Sequence, residues 1–168
     1  MLRAAAVALN LGMDWGSIFE AFKDDRVQLR IVTVKTASGA VLIDDTYNAS
    51  PDSTMAALNL LDDLSGRKVA VLGDMLELGR YEEEGHNKIG MRASEVADEI
   101  VLVGTRSLMT RDAAIENGFP ADMVHWFNDF NDATTYLRET LKSGDIALIK
   151  GSHSMHMEKI VAALEDVD

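Results

Sequence analysis

VAVLG at residues 69–73 is followed later in the chain by two comparable runs, EIVLVG at residues 99–104 and IALIK at residues 146–150. Apart from Glu99 and Lys150 at their ends, the runs are continuously apolar instead of alternating, which is typical of strands that are buried on both faces of a parallel sheet. Helical patterns separate the runs, so strands and helices alternate along the chain. This order predicts an α/β fold: a Rossmann-like, doubly wound and mostly parallel sheet with right-handed crossovers.

The remaining elements follow from periodicity and turn residues. Residues Leu29–Lys35 alternate between apolar and polar, Ser38 and Gly39 form a turn signal, and Ala40–Ile43 is apolar. This pattern predicts an N-terminal β-hairpin that gives the sheet an antiparallel edge. A short segment is expected at Met123–Phe127. The expected helices are Pro51–Leu64, Arg80–Ala97, Ser107–Asn117, Asp129–Leu141 and Ser154–Leu164.

Composition and charge narrow the class of protein. The 168 residues are 47% hydrophobic, which is enough for a single core, and they contain no Cys, which excludes disulfide bonds and thiolate zinc sites. The net charge of −12 argues against nucleic acid and anionic membrane surfaces as partners. No apolar stretch is long enough to span a bilayer, and the N-terminus lacks a signal-peptide cleavage pattern. We therefore expect a cytoplasmic protein.

Candidate ligand-binding loops follow from the predicted topology. Ligands of open parallel α/β sheets bind beyond the carboxyl ends of the strands. The loops at that edge are Asp44–Asp52, Gly73–Gly79, Gly104–Ser107 and Lys150–Ser154. Because the first, second and fourth loops are rich in polar groups, we expect the candidate site residues there.

The first two loops each allow two interpretations. If the strand continues through Asp44 and Asp45, their side chains point to opposite faces and one of them can meet a ligand. An Asx turn and a helix N-cap at Ser50 explain the same residues without a ligand. In the second loop, Asp74 and Glu77 can bind a cation or an ammonium group. They also fit a solvated loop that precedes an acidic helix start.

The fourth loop and the histidines are similarly open. Lys150 at a strand end, followed by glycine and hydroxyl groups that open a helix, suits an anion or a carboxylate. Helix capping by Ser152 or Ser154 is the alternative. His153 and His156 lack a third ligand at metal spacing, so no metal site is predicted.

Isolated histidines and missing phosphate motifs limit the function further. His86 and His125 each stand alone, which is typical of packed or surface histidines. Neither a Walker-type phosphate loop nor a dinucleotide-binding glycine motif occurs in the sequence. An α/β sheet without either motif is not, by itself, a nucleotidase or a dehydrogenase.

Three segments resemble the Mur ligase family, and within it the ligases that add D-alanyl-D-alanine. DDTYNASPDS at residues 44–53 is similar to their DD(S/T)YNANP-x-S segment, and VLGDMLELG at residues 71–79 to their VLGDMxELG segment. KGSHSMHME at residues 150–158 is similar to KGSRxMxME. The segments occur in the family's order, each at the carboxyl end of a predicted strand. Two departures are Ser50 in place of Asn, which leaves a hydroxyl cap, and His153 in place of Arg, which removes a permanent charge.

The resemblance implies a domain organisation and an activity. It identifies residues 1–25 as the tail of a central ATPase domain and residues 26–168 as the Mur ligase C-terminal domain. The activity it implies is ATP-dependent amide formation in peptidoglycan precursor synthesis. D-alanyl-D-alanine would attack an acyl phosphate formed on UDP-N-acetylmuramoyl-tripeptide. The N-terminal domain would hold the UDP-sugar, and the central domain would bind most of the ATP and Mg²⁺, so the chain alone is expected to be inactive.

The resemblance also implies roles for single residues at positions that match the family's motifs. The residues expected to contact ATP are Arg30, Asp45 and Asn48. The residues expected near the amino substrate are Asp74, Lys150, Ser152 and His86. In that arrangement Lys150 and helix N–H groups hold the dipeptide carboxylate, and an acidic group meets its ammonium.

Two other functions remain open from the sequence. The first is a stand-alone, non-catalytic Rossmann-like binding module. The second is another Mur-type ligase with a different amino-acid specificity. The second requires motifs such as DYAHTPD-like and DNPR-like runs, or a DGAHNP-like run in the related folylpolyglutamate synthetases, and none of these occurs in the sequence.

Overall fold

The computed structural model of the protein describes residues 32–165. The chain divides into two units, Met1–Arg30 and Ile31–Asp168, and the described residues belong to the second unit. The tail of the central ATPase domain expected at residues 1–25, the first residues of the hairpin and Arg30 lie outside the described residues. The domain boundary near residue 26 therefore stays a prediction.

Strands and helices alternate along the described chain. The strands are β1 (Val32–Lys35), β2 (Val41–Asp45), β3 (Arg67–Gly73), β4 (Glu99–Val103), β5 (Val124–Phe127) and β6 (Asp145–Lys150). The helices are α1 (Pro51–Asp62), α2 (Glu82–Val96), α3 (Ser107–Glu116), α4 (Phe130–Thr140) and α5 (Glu158–Leu164). Single turns of 3-10 helix lie at Gly79–Tyr81, Ala121–Met123 and His153–Met155. No helix within residues 32–165 is long and apolar enough to cross a membrane.

The six strands of the described chain form one sheet in the order β1-β2-β6-β3-β4-β5. β1 and β2 pair antiparallel, and every other neighbouring pair is parallel. This arrangement confirms the predicted mostly parallel sheet with an antiparallel edge. Because β6, the last strand of the described residues, lies between β2 and β3, the loops that follow these three strands become neighbours.

The core consists of two apolar layers, one on each face of the sheet. In β3, Ala70 and Leu72 pack into the layer formed with α1 and α2, whereas Val69 and Val71 pack into the layer formed with α4 and α5. All four residues are at most 3% exposed. The continuous apolar runs thus belong to strands covered on both faces, as the sequence predicts.

The last helix begins later than the sequence predicts. We expected a helix from Ser154, but residues His153–Met155 form a single 3-10 turn and α5 begins at Glu158. His156 interrupts the helix because its backbone is left-handed, with φ of 54°. The hydroxyl groups of the fourth loop therefore do not cap α5, and the residue that precedes this helix makes no side-chain capping bond.

Candidate functional site

Four loops meet at the carboxyl edge of the parallel strands. Asp45 at the end of β2 is the register partner of Lys150 at the end of β6, and Lys150 is in turn the partner of Leu72 in β3. Gly73 at the end of β3 pairs with Val103 at the end of β4. The polar loops that the sequence places at strand ends are therefore close together in space.

The centre of this edge is a buried ion pair between Lys150 and Asp45. The ammonium group of Lys150 donates to Oδ2 of Asp45 at 2.6 Å and to the backbone carbonyl of Asn48 at 2.9 Å. Its side chain is 2% exposed, and that of Asp45 is 19% exposed. The pair thus fastens the first loop to the middle of the sheet and leaves the Asp45 carboxylate partly open to solvent.

The rest of the first loop is held by local hydrogen bonds. Oδ1 of Asp44 accepts from the backbone N–H of Thr46 at 3.1 Å and from its hydroxyl at 2.7 Å. Ser50 is the N-cap of α1 and forms a capping box with Ser53. The structural interpretation of Asp44 and Ser50 is confirmed, whereas Asp45 and the exposed Asn48 face the edge.

Asp74 joins the second loop to the third. Its side chain is almost completely buried, and Oδ1 accepts from the backbone N–H of Ser107 at 2.8 Å. Its backbone carbonyl accepts from the N–H of Ser152 at 3.0 Å. Gly104, with φ of +99°, permits this contact, since a Cβ there would lie 2.6 Å from the Asp74 carboxyl group. One oxygen of the predicted substrate residue Asp74 is thus used within the protein.

Ser152 and His86 hold the same loop from two other directions. The hydroxyl oxygen of Ser152 accepts from the N–H of Leu76 at 2.8 Å, and Nε2 of His86 accepts from the N–H of Met75 at 3.2 Å. Nδ1 of His86 lies 2.8 Å from the carbonyl oxygen of Glu82, which can only accept, so Nδ1 carries the proton. His86 is 1% exposed. Both predicted residues therefore contact the loop backbone directly.

Close backbone packing lies beneath these loops. A Cβ at Gly151 would be 2.7 Å from Cγ of Met157, and a Cβ at Gly73 would be 3.1 Å from the Met157 sulfur. Met157 is fully buried. The two glycines let the ends of β3 and β6 approach each other over this side chain, which gives the loops a rigid base.

Arg106 is an edge residue that the sequence analysis did not single out. It lies in the third loop, and Nε donates to Oε2 of Glu82 at 2.8 Å. Nη1 lies 3.9 Å from Oδ2 of Asp74, and the Arg106 side chain is 44% exposed. Its position in the loop after β4 was the available signal. Arg106 was not predicted because the site residues were expected in the first, second and fourth loops.

The remaining predicted residues have different fates. Arg30 lies outside the described residues. His153 is exposed, and its ring centroid lies 6.2 Å from that of Tyr47, which is also exposed. Within residues 32–165, no group of three or more His, Asp or Glu side chains is arranged to hold a metal ion.

A second polar cluster lies at the opposite, amino edge of the sheet. Arg67 contacts Glu99, and its Nη1 lies 2.8 Å from Oδ2 of Asp145. The Tyr136 hydroxyl donates to Oε1 of Glu99 at 2.7 Å, and the His125 ring lies 4.5 Å from the Tyr136 ring. Burial, and then the bond to the Glu99 carboxylate and its charge, raise the pKa of the Tyr136 phenol above its usual value. His125 is thus a packed residue remote from the carboxyl edge.

Comparisons with known proteins show the family to which the chain belongs. The family model described as "Mur ligase, glutamate ligase domain" matches residues 29–153. The UDP-N-acetylmuramoyl-tripeptide--D-alanyl-D-alanine ligase of Bacillus subtilis is 37% identical over 139 residues, which is 81% of this chain and 30% of that protein.

Solved structures show the same similarity. A MurF structure from Acinetobacter baumannii has a TM-score of 0.70 at 29% identity and covers 96% of this chain and 36% of that one. MurF from Thermotoga maritima, solved with ADP, has a TM-score of 0.67 at 25% identity and covers 80% of this chain and 30% of that one. The chain thus spans about a third of the length of these relatives. It belongs to the Mur ligase family, of which it contains the C-terminal domain.

Proposed function

We propose that this chain is the C-terminal domain of a ligase that uses ATP to join D-alanyl-D-alanine to UDP-N-acetylmuramoyl-tripeptide in peptidoglycan precursor synthesis. The observation that carries the proposal is the Lys150–Asp45 pair at the meeting point of the three motif loops. The relatives whose printed names state this reaction match the chain over most of its length. The proposed partners are both substrates and the N-terminal and central domains of the same enzyme.

The nucleotide side of the site is proposed to be the first loop. Oδ2 of Asp45 accepts from Lys150, while Oδ1 makes no hydrogen bond within the described part of the chain. A partly exposed carboxylate oxygen fits the hydroxyl donors of a ribose. The exposed side chain of Asn48 lies in the same loop, and its carbonyl is fixed by Lys150. We propose that Arg30 adds a guanidinium contact to a phosphate, and that Mg²⁺ is held by the central domain.

The amino-substrate side is proposed to be the second loop and its supports. Asp74, Lys150, Ser152 and His86 were all expected near this substrate. Three of them use their polar groups to hold loops: Ser152 and His86 bond to the second loop, and Lys150 bonds to the first. We propose that these three shape the site by positioning backbone, and that the second oxygen of Asp74 lies near the incoming amine.

A chimeric enzyme tests this function. The segment of the Bacillus subtilis relative that matches this chain is replaced by the residues of this chain. The chimera is then expressed in a Bacillus subtilis strain depleted of its own ligase. We expect growth to be restored, and we expect the isolated chain to hydrolyse no ATP. A stable, soluble chimera that fails to restore growth would contradict the proposal.

Substitutions in the chimera locate the ATP contacts. Asp45→Ala is expected to lower turnover by about 10- to 1000-fold, because contacts to the nucleotide strengthen in the closed state and because the Lys150 ammonium loses its partner. Arg30→Ala is expected to act in the same direction. Asp63→Ala, an exposed change at the far end of α1, is the matched control and should retain full turnover. Full turnover in Asp45→Ala would exclude this carboxylate as an ATP contact.

A further inference from the structure

A dipeptide substrate needs an anchor for its carboxylate. In the proposed reaction its amine is the nucleophile and must remain free to attack the acyl phosphate. The end that the protein can hold throughout is therefore the carboxylate. An exposed guanidinium suits this task, because its planar fork can form two parallel hydrogen bonds to a carboxylate.

The four edge loops contain two permanent cations, Lys150 and Arg106. Lys150 is 2% exposed, and two of its three donors already bond to Asp45 and to the carbonyl of Asn48. The start of α5 lies several residues further along, so no helix N-terminus adjoins Lys150 to assist it. Within these four loops, Arg106 is the accessible cation, with a side chain that is 44% exposed.

Arg106 is held in place before any ligand arrives. The Nε–Glu82 bond of 2.8 Å fixes one side of its guanidinium, and the 3.9 Å approach of Nη1 to Asp74 is loose. Of the five N–H donors of a guanidinium, those on Nη2 make no hydrogen bond within residues 32–165. A guanidinium that is already oriented loses less conformational entropy on binding than a free one.

The position of Arg106 also suits two adjacent ligands. β4 is separated from β2 by three strand spacings, because β6 and β3 lie between them. At about 4.8 Å per spacing this is about 14 Å. The ends of β2 and β4, which carry Asp45 and the loop of Arg106, are therefore far enough apart to leave room for nucleotide phosphates between them.

We propose that Arg106 binds the carboxylate of the dipeptide substrate and so sets the position of its amine. Arg106 is a binding residue in this account, and Glu82 orients it. The proposal rests on the proposed function, since it assumes that a dipeptide is the amino substrate. If the proposal is wrong, Arg106 is a surface partner of Glu82 whose loss has little effect.

Kinetics of the chimera distinguish these alternatives. Arg106→Gln is expected to raise the KM for D-alanyl-D-alanine about 10- to 100-fold with little change in kcat, since a charge-assisted contact present before and during the reaction is lost. The KM of Arg106→Lys for D-alanyl-D-alanine should lie between those of the wild type and of Arg106→Gln. D-alanyl-D-alaninamide, which lacks the carboxylate, should show a high KM that Arg106→Gln does not raise further. Arg111→Gln, at a similarly exposed arginine in α3, is the matched control and should behave as wild type.

Three results would count against the proposal. A wild-type KM for the dipeptide in Arg106→Gln would overturn it and leave the proposed function intact. Equal effects of Arg106→Gln on the dipeptide and on its amide would also overturn it. An unsubstituted chimera that does not use the dipeptide would refute the proposed function itself, before any substitution is made.

A direct binding measurement covers the case in which Arg106→Gln is inactive for another reason. The chain, labelled with ¹⁵N, is titrated with D-alanyl-D-alanine while the Nε–H signal of Arg106 is followed by NMR. The indole N–H of Trp126 in β5, which donates to the Gly104 carbonyl at 2.7 Å, is a second reporter that contacts the loop of Arg106. We expect shifts with the dipeptide and none with its amide. Unchanged Arg106 signals at saturating dipeptide would overturn the proposal.

Discussion

Lys150 and Asp45 are register partners on neighbouring parallel strands, and their side chains form a 2.6 Å ion pair at the ends of those strands. The pair joins the motif loop after β2 to the motif loop after β6. It also brings the Asn48 carbonyl under the same ammonium group. A buried charge that is both paired and hydrogen-bonded is stable in place, whereas removal of one partner leaves the other uncompensated.

Lys150→Met should therefore destabilise the domain. The substitution preserves most of the side-chain volume but leaves the Asp45 carboxylate and the Asn48 carbonyl without their donor. We expect the free energy of unfolding to fall by about 3 kcal/mol, measured by urea denaturation. Lys88→Met, at an exposed lysine of α2, should change it by about 0.5 kcal/mol or less. Equal effects of the two substitutions would show that the Lys150–Asp45 pair adds no stability.

Gly104→Ala should displace the Asp74 carboxylate. The new Cβ would lie 2.6 Å from that carboxyl group, and the backbone φ of +99° is unfavourable for alanine. Gly118→Ala is the matched control, because its φ of +92° is similar but no atom lies within 4 Å of the added Cβ. We expect about 1 kcal/mol of destabilisation at Gly118 and clearly more at Gly104 by thermal or urea unfolding. Equal losses would mean that Asp74 moves aside without cost.

His86→Ala should loosen the second loop. The substitution removes the acceptor for the Met75 N–H and leaves a cavity at a position that is 1% exposed. We expect a loss of about 2–4 kcal/mol in the free energy of unfolding. Amide hydrogen exchange at Met75 and Leu76 should also become faster. His153→Ala, at an exposed histidine of the same edge, should change neither quantity. Unchanged exchange at Met75 in His86→Ala would contradict the positioning role of His86.

The positions of the site loops were predictable from sequence because they depend on local patterns. Apolar runs locate buried strands, and the residues after each run lie at one edge by the rule for parallel sheets. The strand order, in which β6 lies between β2 and β3, was not predictable from the sequence. The contacts of Asp74 with Ser107 and of Ser152 with Leu76 join residues far apart in sequence, so no local pattern reveals them. The left-handed His156 likewise escaped the helix prediction.

Tyr136 in the amino-edge cluster should make the free energy of unfolding depend on pH in the alkaline range. Its pKa is raised in the folded state, so the unfolded chain loses this proton first as the pH passes the usual phenol value of about 10. Below that pH the contribution is fully present, and above it the free energy of unfolding falls. The free energy of unfolding, measured by urea denaturation between about pH 9 and about pH 11, should fall more steeply with pH for wild type than for Tyr136→Phe. The exposed-site control Tyr81→Phe should retain the wild-type slope, and an equal slope in Tyr136→Phe would refute the prediction.

Amino-substrate selection by the chimera shows whether this chain belongs to a dipeptide-adding ligase. ADP formation is measured with ATP, UDP-N-acetylmuramoyl-tripeptide and either D-alanyl-D-alanine or a single amino acid, namely D-alanine, D-glutamate, L-lysine or diaminopimelate. We expect ADP formation that depends on the dipeptide and is negligible with each single amino acid. ADP formation that is driven equally well by a single amino acid, or that does not respond to the dipeptide, would contradict it.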